Sequence, residues 1–395
     1  MSKLNDILVL EDFHAGENRK ALANTTSEYT TFVPSYIGKS WTWSDPEINV
    51  LLERANLEIG KLDSFANQIP NIDVYVNAHL YTEANKSNRI EGTQTTIEED
   101  MTPIEEIAPE KRDDHQEVQN YIKAINYGVR EVTSPTGLPL CNRLLCDIHR
   151  ILLEGVRGEY KTPGEFRRSQ NWIGGANING ASYVPPPFEE LPGLLTDFEN
   201  FINNETILTP HLIRCAILHY QFETIHPFLD GNGRMGRLMI PLYLLNKRVL
   251  SKPCFYISDY FERRRYEYYD SLQRARVKSD LSDWVKFFLK GAACTAQSAS
   301  RKFGKVVALV EKHSNEILDA KVRSGGDYKK VLEVFYHTPV QSAKTLIEAT
   351  GIGKSSMGAI LKRLEEKGIV DEITGQSRNK LYRMTEYLQC FSDDE

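Results

Sequence analysis

The sequence predicts a mainly α-helical protein with one small β-hairpin, closed by three short helices and a two-stranded ribbon. Three observations carry this. Apolar residues recur at helical spacing through most of the chain between residues 46 and 320. One stretch, 155–187, is rich in Gly, Asn and Pro and loses that period. Beyond residue 326, three short helical patterns precede two strand-like segments around Thr374-Gly375-Gln376.

Taken in order, residues 1–40 are polar and read as loosely structured, with an aromatic end at Phe32-Val33-Pro34-Ser35-Tyr36. Ser44-Asp45-Pro46 is a helix start, because proline suits a first turn. That helix runs to about Ala66, and Pro70 interrupts it. A second spans Asp73 to about Ile90, with Gly92 as its stop. Helices follow at 114–132 and 139–154. In the aperiodic stretch, Asn179-Gly180 signals a two-residue hairpin turn.

Helices resume at 188–204, 209–225, 233–247, 259–276 and 282–320. The 209–225 segment is apolar at Leu212, Ile213, Ala216, Ile217 and Tyr220 and is expected to be central. Ser324-Gly325-Gly326 reads as a linker to a separate unit with helices at 327–337, about 342–349 and Lys354–Lys367, then strands at Ile369-Val370 and 380–383. This is the winged helix-turn-helix pattern. The expected organisation is an N-terminal helical region (1–110), a catalytic region (111–322) and the C-terminal unit (327–390).

The 395 residues allow two or three domains, and 41% apolar with 26% charged residues is an ordinary globular balance. A net charge of −6 excludes a chain that is basic overall and binds nucleic acid through bulk charge. The cysteines at 141, 146, 215, 254, 294 and 390 form no CxxC pair and no zinc spacing with histidine, which fits a reducing compartment. Met1–Asp6 lacks an apolar run after its lysine, which argues against a signal peptide, and no stretch of 18 apolar residues occurs. The expectation is a cytoplasmic protein without a membrane partner.

The chemistry concentrates in His226-Pro227-Phe228-Leu229-Asp230-Gly231-Asn232-Gly233-Arg234-Met235-Gly236-Arg237. A buried helix ends, glycines let backbone N–H groups converge, and a second helix N-terminus adds its dipole. Arg234 and Arg237, three apart, share one side of the first turn. That describes a polyphosphate site. Asp230 at its lip is placed to hold Mg²⁺ with phosphate oxygens, and His226 to take a proton from a hydroxyl. An EF-hand reading fails, since its sixth position is Met235 and its twelfth Pro241. A Walker loop fails because no GKS or GKT follows.

The twelve residues resemble the Fic family signature, HPFx(D/E)GNGRxxR, at every specified position. Gly164-Glu165-Phe166-Arg167 looks like the family's upstream GEFR segment, and residues 171–184 resemble its target-clamping flap. Tyr260-Phe261-Glu262 and Tyr268-Tyr269 loosely resemble a segment lining the adenine pocket, which makes Glu262 a candidate contact. The resemblance implies a helical Fic-type core and AMP transfer from ATP to a Ser, Thr or Tyr hydroxyl of a target protein or of the chain itself. His226 would be the base and Asp230 the Mg²⁺ ligand. Gly231, Asn232, Gly233, Arg234, Met235, Gly236 and Arg237 would bind nucleotide.

Ser87-Asn88-Arg89-Ile90-Glu91-Gly92 matches the family's inhibitory motif, (S/T)xxxE(G/N). Ser87 and Glu91, at i and i+4, share a helix face. By resemblance, Glu91 would pair with Arg237 in cis and take the charge that seats the γ-phosphate.

In the C-terminal unit, Lys354-Ser355-Ser356 at a helix start and Arg378, Lys380 and Arg383 in the wing fit DNA docking. Residues 327–388 nevertheless hold ten Lys or Arg against eight Asp or Glu, a weak footprint. DNA, protein docking and homodimerisation stay open. So do three other activities: AMP removal, an ATP-sensing regulator, and transfer of another phosphate-linked group.

Overall fold

The computed structural model describes residues 7–22, 25, 28–69, 71–318, 325–376 and 379–391. Asp45 caps the first helix, α1 (Pro46–Gln68), by accepting the Glu47 N–H, with Pro46 in the first turn. After it come α2 (Ile72–Glu91), α3 (Ile97–Asp100), α4 (Arg112–Thr133), α5 (Asn142–Leu152), α6 (Leu191–Asn203), α7 (His211–Ile225) and α8 (Asn232–Asn246). The series continues with α9 (Ser258–Arg263), α10 (Arg265–Lys278) and the long α11 (Ser282–Leu318). The protein is mainly α-helical, as its periodicity implies.

Helix α7 is the centre. Every residue from Leu212 to Ile225 is buried, with α6, α8 and α11 packed around it. Trp284 of α11 is fully buried and donates its indole N–H to the Ala216 carbonyl at 2.8 Å. Trp284→Ala is expected to cost about 3–5 kcal/mol of stability, read from urea denaturation. A loss below about 1 kcal/mol would contradict this placement.

The expectation of one helix over 259–276 is corrected. The chain breaks at Arg264 (φ −116, ψ 38), whose guanidinium lies 4.5 Å over the Tyr260 ring. The break lets Phe261 and Tyr268, seven residues apart, stack with ring centroids 4.5 Å apart. A straight helix would separate them by about 10 Å along its axis.

The described residues between 7 and 42 are not loosely structured. Strand β1 (Ile7–Val9) pairs in parallel with β4 (Ser40–Thr42), and β2 (Gly16–Ala21) antiparallel with β3 (Tyr29–Pro34). Leu10, Phe13, Ile37 and Trp41 enter the main core. The polar, exposed face of β2 conceals this in the sequence, because no apolar alternation marks it.

The 171–184 segment is held by one bridge, Ile173–Tyr183, and is not a regular two-residue hairpin. Nine residues separate the partners. The left-handed turn falls at Gly174 (φ 70) and Gly175 (φ 72), while Asn179-Gly180 belongs to a 3-10 turn capped by Asn177.

The tail comprises α12 (Gly325–His337), β5 (Val340–Ser342), α13 (Ala343–Thr350), α14 (Lys354–Glu366), β6 (Asp371–Glu372), β7 (Leu381–Arg383) and α15 (Thr385–Gln389). Its strands form an antiparallel sheet in the order β5-β7-β6. Gly325 and Gly326, read as linker, open α12, and Ser324 lies outside the described residues. The tail's apolar core is continuous with Ala78 of α2, Met101, and Val306 and Leu309 of α11. Asn77 donates to the His337 carbonyl at 2.7 Å, and Tyr75 meets Tyr336 edge-on at 5.9 Å. Thus α2 bears the tail along its first half and Ser87 and Glu91 at its end. Of the expected wing cations, Arg383 pairs with Glu98 at 2.5 Å, and Arg378 lies outside the described residues.

Candidate active site

Helix α7 ends where His226 turns the chain into the left-handed region (φ 51, ψ 59), and Gly231 (φ 74) starts α8. Between them the backbone is clamped from several sides. Arg167 donates Nε to the His226 carbonyl at 3.0 Å and Nη2 to that of Pro186 at 2.6 Å. Asn171 donates to the Phe228 carbonyl at 2.8 Å. Asn232 accepts the Phe228 N–H at 2.9 Å and returns its amide to the Phe228 carbonyl at 2.8 Å. The Phe228 ring stacks on His149 at 3.8 Å.

His149 supports the far side of the loop. Its Nδ1 accepts the Gly164 N–H at 2.9 Å, so the neutral ring carries its proton on Nε2 and donates to the Asp230 carbonyl at 3.0 Å. Burial pushes its pKa down to about 4, which keeps that tautomer at neutral pH. His149→Ala is expected to lower catalytic turnover about 10- to 100-fold by loosening the loop, with stable fold retained. Steady-state kinetics beside a melting curve checks this; unchanged turnover counts against it.

A cavity of about 490 Å³ opens over the loop. His226 lines it, with burial and then Arg167 pushing its pKa down to about 4 and Glu91 opposing. The imidazole is therefore neutral at pH 7, and Nδ1 has no hydrogen-bond partner of normal geometry among the described residues. A ring in this state can accept a proton. The acid limb of a pH–rate profile governed by His226 is expected near pH 4, because the base form persists as pH falls from 6.5. A limb near 6.5 would contradict the buried setting.

The first N–H groups of α8 have no helical acceptor, and its dipole places positive charge there. Arg234, 5% exposed, donates Nη1 to Glu117 at 3.1 Å and to Asn88 Oδ1 at 3.4 Å. Arg237, 1% exposed, donates Nε to Ser87 Oγ at 2.9 Å, and Nη2 to the Ser87 carbonyl at 2.9 Å and Glu91 Oε1 at 2.7 Å. Burial works to raise the Glu91 pKa, but Arg237 with Arg234 outweighs it and holds the carboxyl below its usual range. A Cβ on Gly233 would lie 2.3 Å from Glu91 Oε1. Glu91 thus fills the space that the missing side chain leaves at the anion-attracting end of α8. Gly92, with φ 107, stops α2 one residue later.

Asp230 stands at the cavity's lip with its side chain 44% exposed, and its Oδ1 accepts the Gly231 N–H at 2.6 Å. Among the described residues no group of three or more His, Cys, Asp or Glu could hold a metal ion. One exposed carboxylate beside a phosphate loop does fit Mg²⁺, which takes most of its oxygens from phosphate and water.

The flap reaches the cavity through Trp172, Ile173 and Gly174, and α10 through Tyr268 and Tyr269. Three expected contacts are not brought there. Met235 is fully buried in the apolar core and gives its N–H to the Gly231 carbonyl. Gly236 faces Glu223, whose Oε1 would be 2.3 Å from an added Cβ. Glu262 sits 3.6 Å from both Lys86 and Arg89, outside the lining.

Sequence reasoning missed Glu117, Arg157 and Glu223, which all line the cavity. Arg157 and Arg234 share Glu117 at 2.8 and 3.1 Å, across sequence gaps that no local pattern marks. Glu223 was accessible to reasoning, since it stands one turn before His226. Burial raises its pKa to about 7, with Arg237 opposing.

Residues 139–244 match the model described as Fic/DOC family, and residues 50–130 the one described as Fic/DOC family N-terminal. Protein adenylyltransferase Fic of Culex quinquefasciatus is 32% identical over 187 residues, 47% of this chain and 33% of that protein. The protein of the same name from Drosophila erecta is 31% identical over 230 residues, 56% and 40% of the two. The chain therefore spans a third to two fifths of the length of these relatives.

A Fic family protein from Desulfovibrio desulfuricans G20 superposes with a TM-score of 0.52 at 21% identity, over 86% of this chain and 96% of that one. Fic-1 from C. elegans gives 0.52 at 22%, over 64% and 73%. At such identities the likeness is one of fold. The loop from His226 to Arg237 falls inside the first matched span and the helix carrying Ser87 and Glu91 inside the second, so both groups lie in the parts of the chain that match the Fic/DOC family models.

Proposed function

We propose that this chain transfers AMP from ATP to a protein hydroxyl, its own included, and that Glu91 holds it in a braked state. One observation carries the reading: a single cavity gathers a neutral histidine, a free helix N-terminus and two buried arginines, one of them held by Glu91. The relatives named protein adenylyltransferase support it.

His226 takes the proton of the incoming hydroxyl, whose oxygen attacks the α-phosphorus of ATP. The bond to the β-phosphate oxygen breaks, and pyrophosphate leaves as the AMP ester forms. The N–H groups of Asn232 and Gly233 stabilise charge on the phosphoryl oxygens, and Arg234 and Arg237 hold the β- and γ-phosphates. Asp230 would hold Mg²⁺, which supplies charge neutralisation on those phosphates when bound. Glu91 must yield Arg237 before the γ-phosphate can seat. Ser87 fixes the arginine's far edge and stays in place.

The flap residues Trp172 and Ile173 are assigned to guiding the target segment over His226. The C-terminal unit is assigned a regulatory role, with Arg383 engaged by Glu98 and so withheld from a nucleic-acid surface. Parallel incubations with α-³²P-ATP and γ-³²P-ATP test the chemistry. Protein should acquire the α-label and release pyrophosphate. Label from the γ position would replace AMP transfer with phosphoryl transfer.

A further inference from the structure

Arg234 and Arg237 are both buried and both bonded to a carboxylate, but the two carboxylates stand differently. Glu91 has its side chain 36% exposed to the cavity, at the end of α2. Glu117 is 5% exposed, in the second turn of α4, and has no room to swing out. Both its oxygens are taken, by different arginines. Oε2 accepts Nη1 of Arg234 at 3.1 Å, and Oε1 accepts Nε of Arg157 at 2.8 Å. A carboxylate held at both oxygens fixes the direction from which it grips each partner.

The platform under Glu117 is tied down as well. Helix α4 packs on α8 so closely that a Cβ on Gly128 would lie 2.7 Å from Leu242. Asn120, three residues after Glu117, donates to the Glu154 carbonyl at 2.7 Å and anchors the loop that carries Arg157. Arg157 also donates Nη2 to Asp114 at 3.0 Å, so its guanidinium spans one turn of α4. With its side chain 58% exposed, it is the more outward of the two arginines on Glu117. Arg234 is held on one edge and open on the other. Its Nη1 is engaged by Glu117 and Asn88, while Nη2 meets Asp230 Oδ1 at 3.9 Å, too far for a hydrogen bond. A guanidinium gripped at one nitrogen keeps donors at the other for an anion. Arg237 differs, because its Nη2 is occupied by Glu91 and the Ser87 carbonyl.

We propose that Glu117 is a positioning residue for the nucleotide: it aims the open edge of Arg234 at the phosphates beyond the α-phosphate, and Arg157 fixes Glu117 in turn. The two glutamates then have opposite roles. Glu91 must leave its arginine for ATP to seat, whereas Glu117 must stay on its own. Without Glu117, Arg234 is free to turn to Asp230 at the lip, and its aim is lost. This inference rests on the AMP-transfer reading for the identity of the bound phosphates.

The test is equilibrium titration of a non-hydrolysable ATP analogue, and of AMP, into the full chain carrying Glu91→Gly, alone and with Glu117→Gln. Glutamine keeps the shape and loses the charge. Analogue affinity should fall about tenfold while AMP affinity stays within about twofold, because AMP has no phosphate beyond the α position for Arg234 to meet. Melting curves establish that each variant is folded. Should Glu117→Gln not fold, Arg157→Gln at the exposed mouth takes its place, with an expected loss of about threefold, since Glu117 then keeps Arg234 but loses its second anchor. Unchanged analogue binding overturns the proposal, and tighter binding does so by making Glu117 a competitor like Glu91. An equal loss for AMP and the analogue also overturns it, because the effect then lies in the fold. Labelling from α-³²P-ATP is read beside the titrations. A selective loss of analogue affinity supports the positioning role even where no protein is labelled, a result that would count against AMP transfer alone.

Discussion

Glu91→Gly raises incorporation of label from α-³²P-ATP into the protein about tenfold, and the reason lies in one contact. Glu91 Oε1 sits 2.7 Å from Arg237 Nη2, inside the space left by Gly233 and against the positive end of α8. A hydrogen bond to a charged partner contributes about 1.5–3 kcal/mol. The Glu91 side chain is 36% exposed to the cavity, so solvent screening trims that figure. A net competition of about 1–2 kcal/mol against the γ-phosphate corresponds to roughly 5- to 30-fold. Removing the carboxylate leaves Arg237 on Ser87, through two bonds of 2.9 Å, so the arginine stays aimed at the loop. Unchanged labelling would show that the pair does not limit turnover.

The second large effect belongs to His226. In the Glu91→Gly background, His226→Ala should reduce labelling by about 10²- to 10⁴-fold, the usual contribution of a positioned base. ATP affinity should hold within a few-fold. The features that shape the phosphate site are backbone contacts of this residue, chiefly the Arg167 bond to its carbonyl, and those survive alanine. Equilibrium titration with a non-hydrolysable ATP analogue separates the two effects. A matching loss of affinity would make His226 a binding residue instead of the base.

Much of this site was legible in order along the chain because its chemistry is local. His226 to Arg237 are twelve consecutive residues, and Ser87 and Glu91 share one helix face, so spacing alone groups them. What joins the two groups, Arg237 on Ser87 and Glu91, spans about 150 positions and came only through resemblance. Glu117 and Arg157 had no such signature. Glu117 lies on a strongly amphipathic helix, where a lone glutamate reads as solvated, yet it is buried against Arg234.

Met235 and Gly236 stand outside the cavity lining for the opposite reason. A shared segment does not mean a shared face: one helical turn carries Met235 into the apolar core and Gly236 against Glu223. In the fold, the long helices were legible from period alone. The N-terminal strands were not, because β1 finds its parallel partner only at β4, beyond the β2–β3 pair, and β2 is exposed along most of its length. The tail's three longer helices were also legible, but its expected two-stranded ribbon is a three-stranded sheet. Strand β5 and helix α15 carry no clear period, and the strand expected at Ile369-Val370 falls at Asp371–Glu372. The packing on α2 rests on Tyr75, Ala78 and Asn77, which carry no mark of a second contact face.

The central claim is that Glu91 restrains a loop whose base is His226. Labelling with α-³²P-ATP and Mg²⁺ tests it most directly, run side by side on wild type, Glu91→Gly, and Glu91→Gly with His226→Ala. The expected result is faint label in wild type, strong label in the single variant and none in the double. Loss of activity on removing Glu91, or label that survives removal of His226, would contradict it.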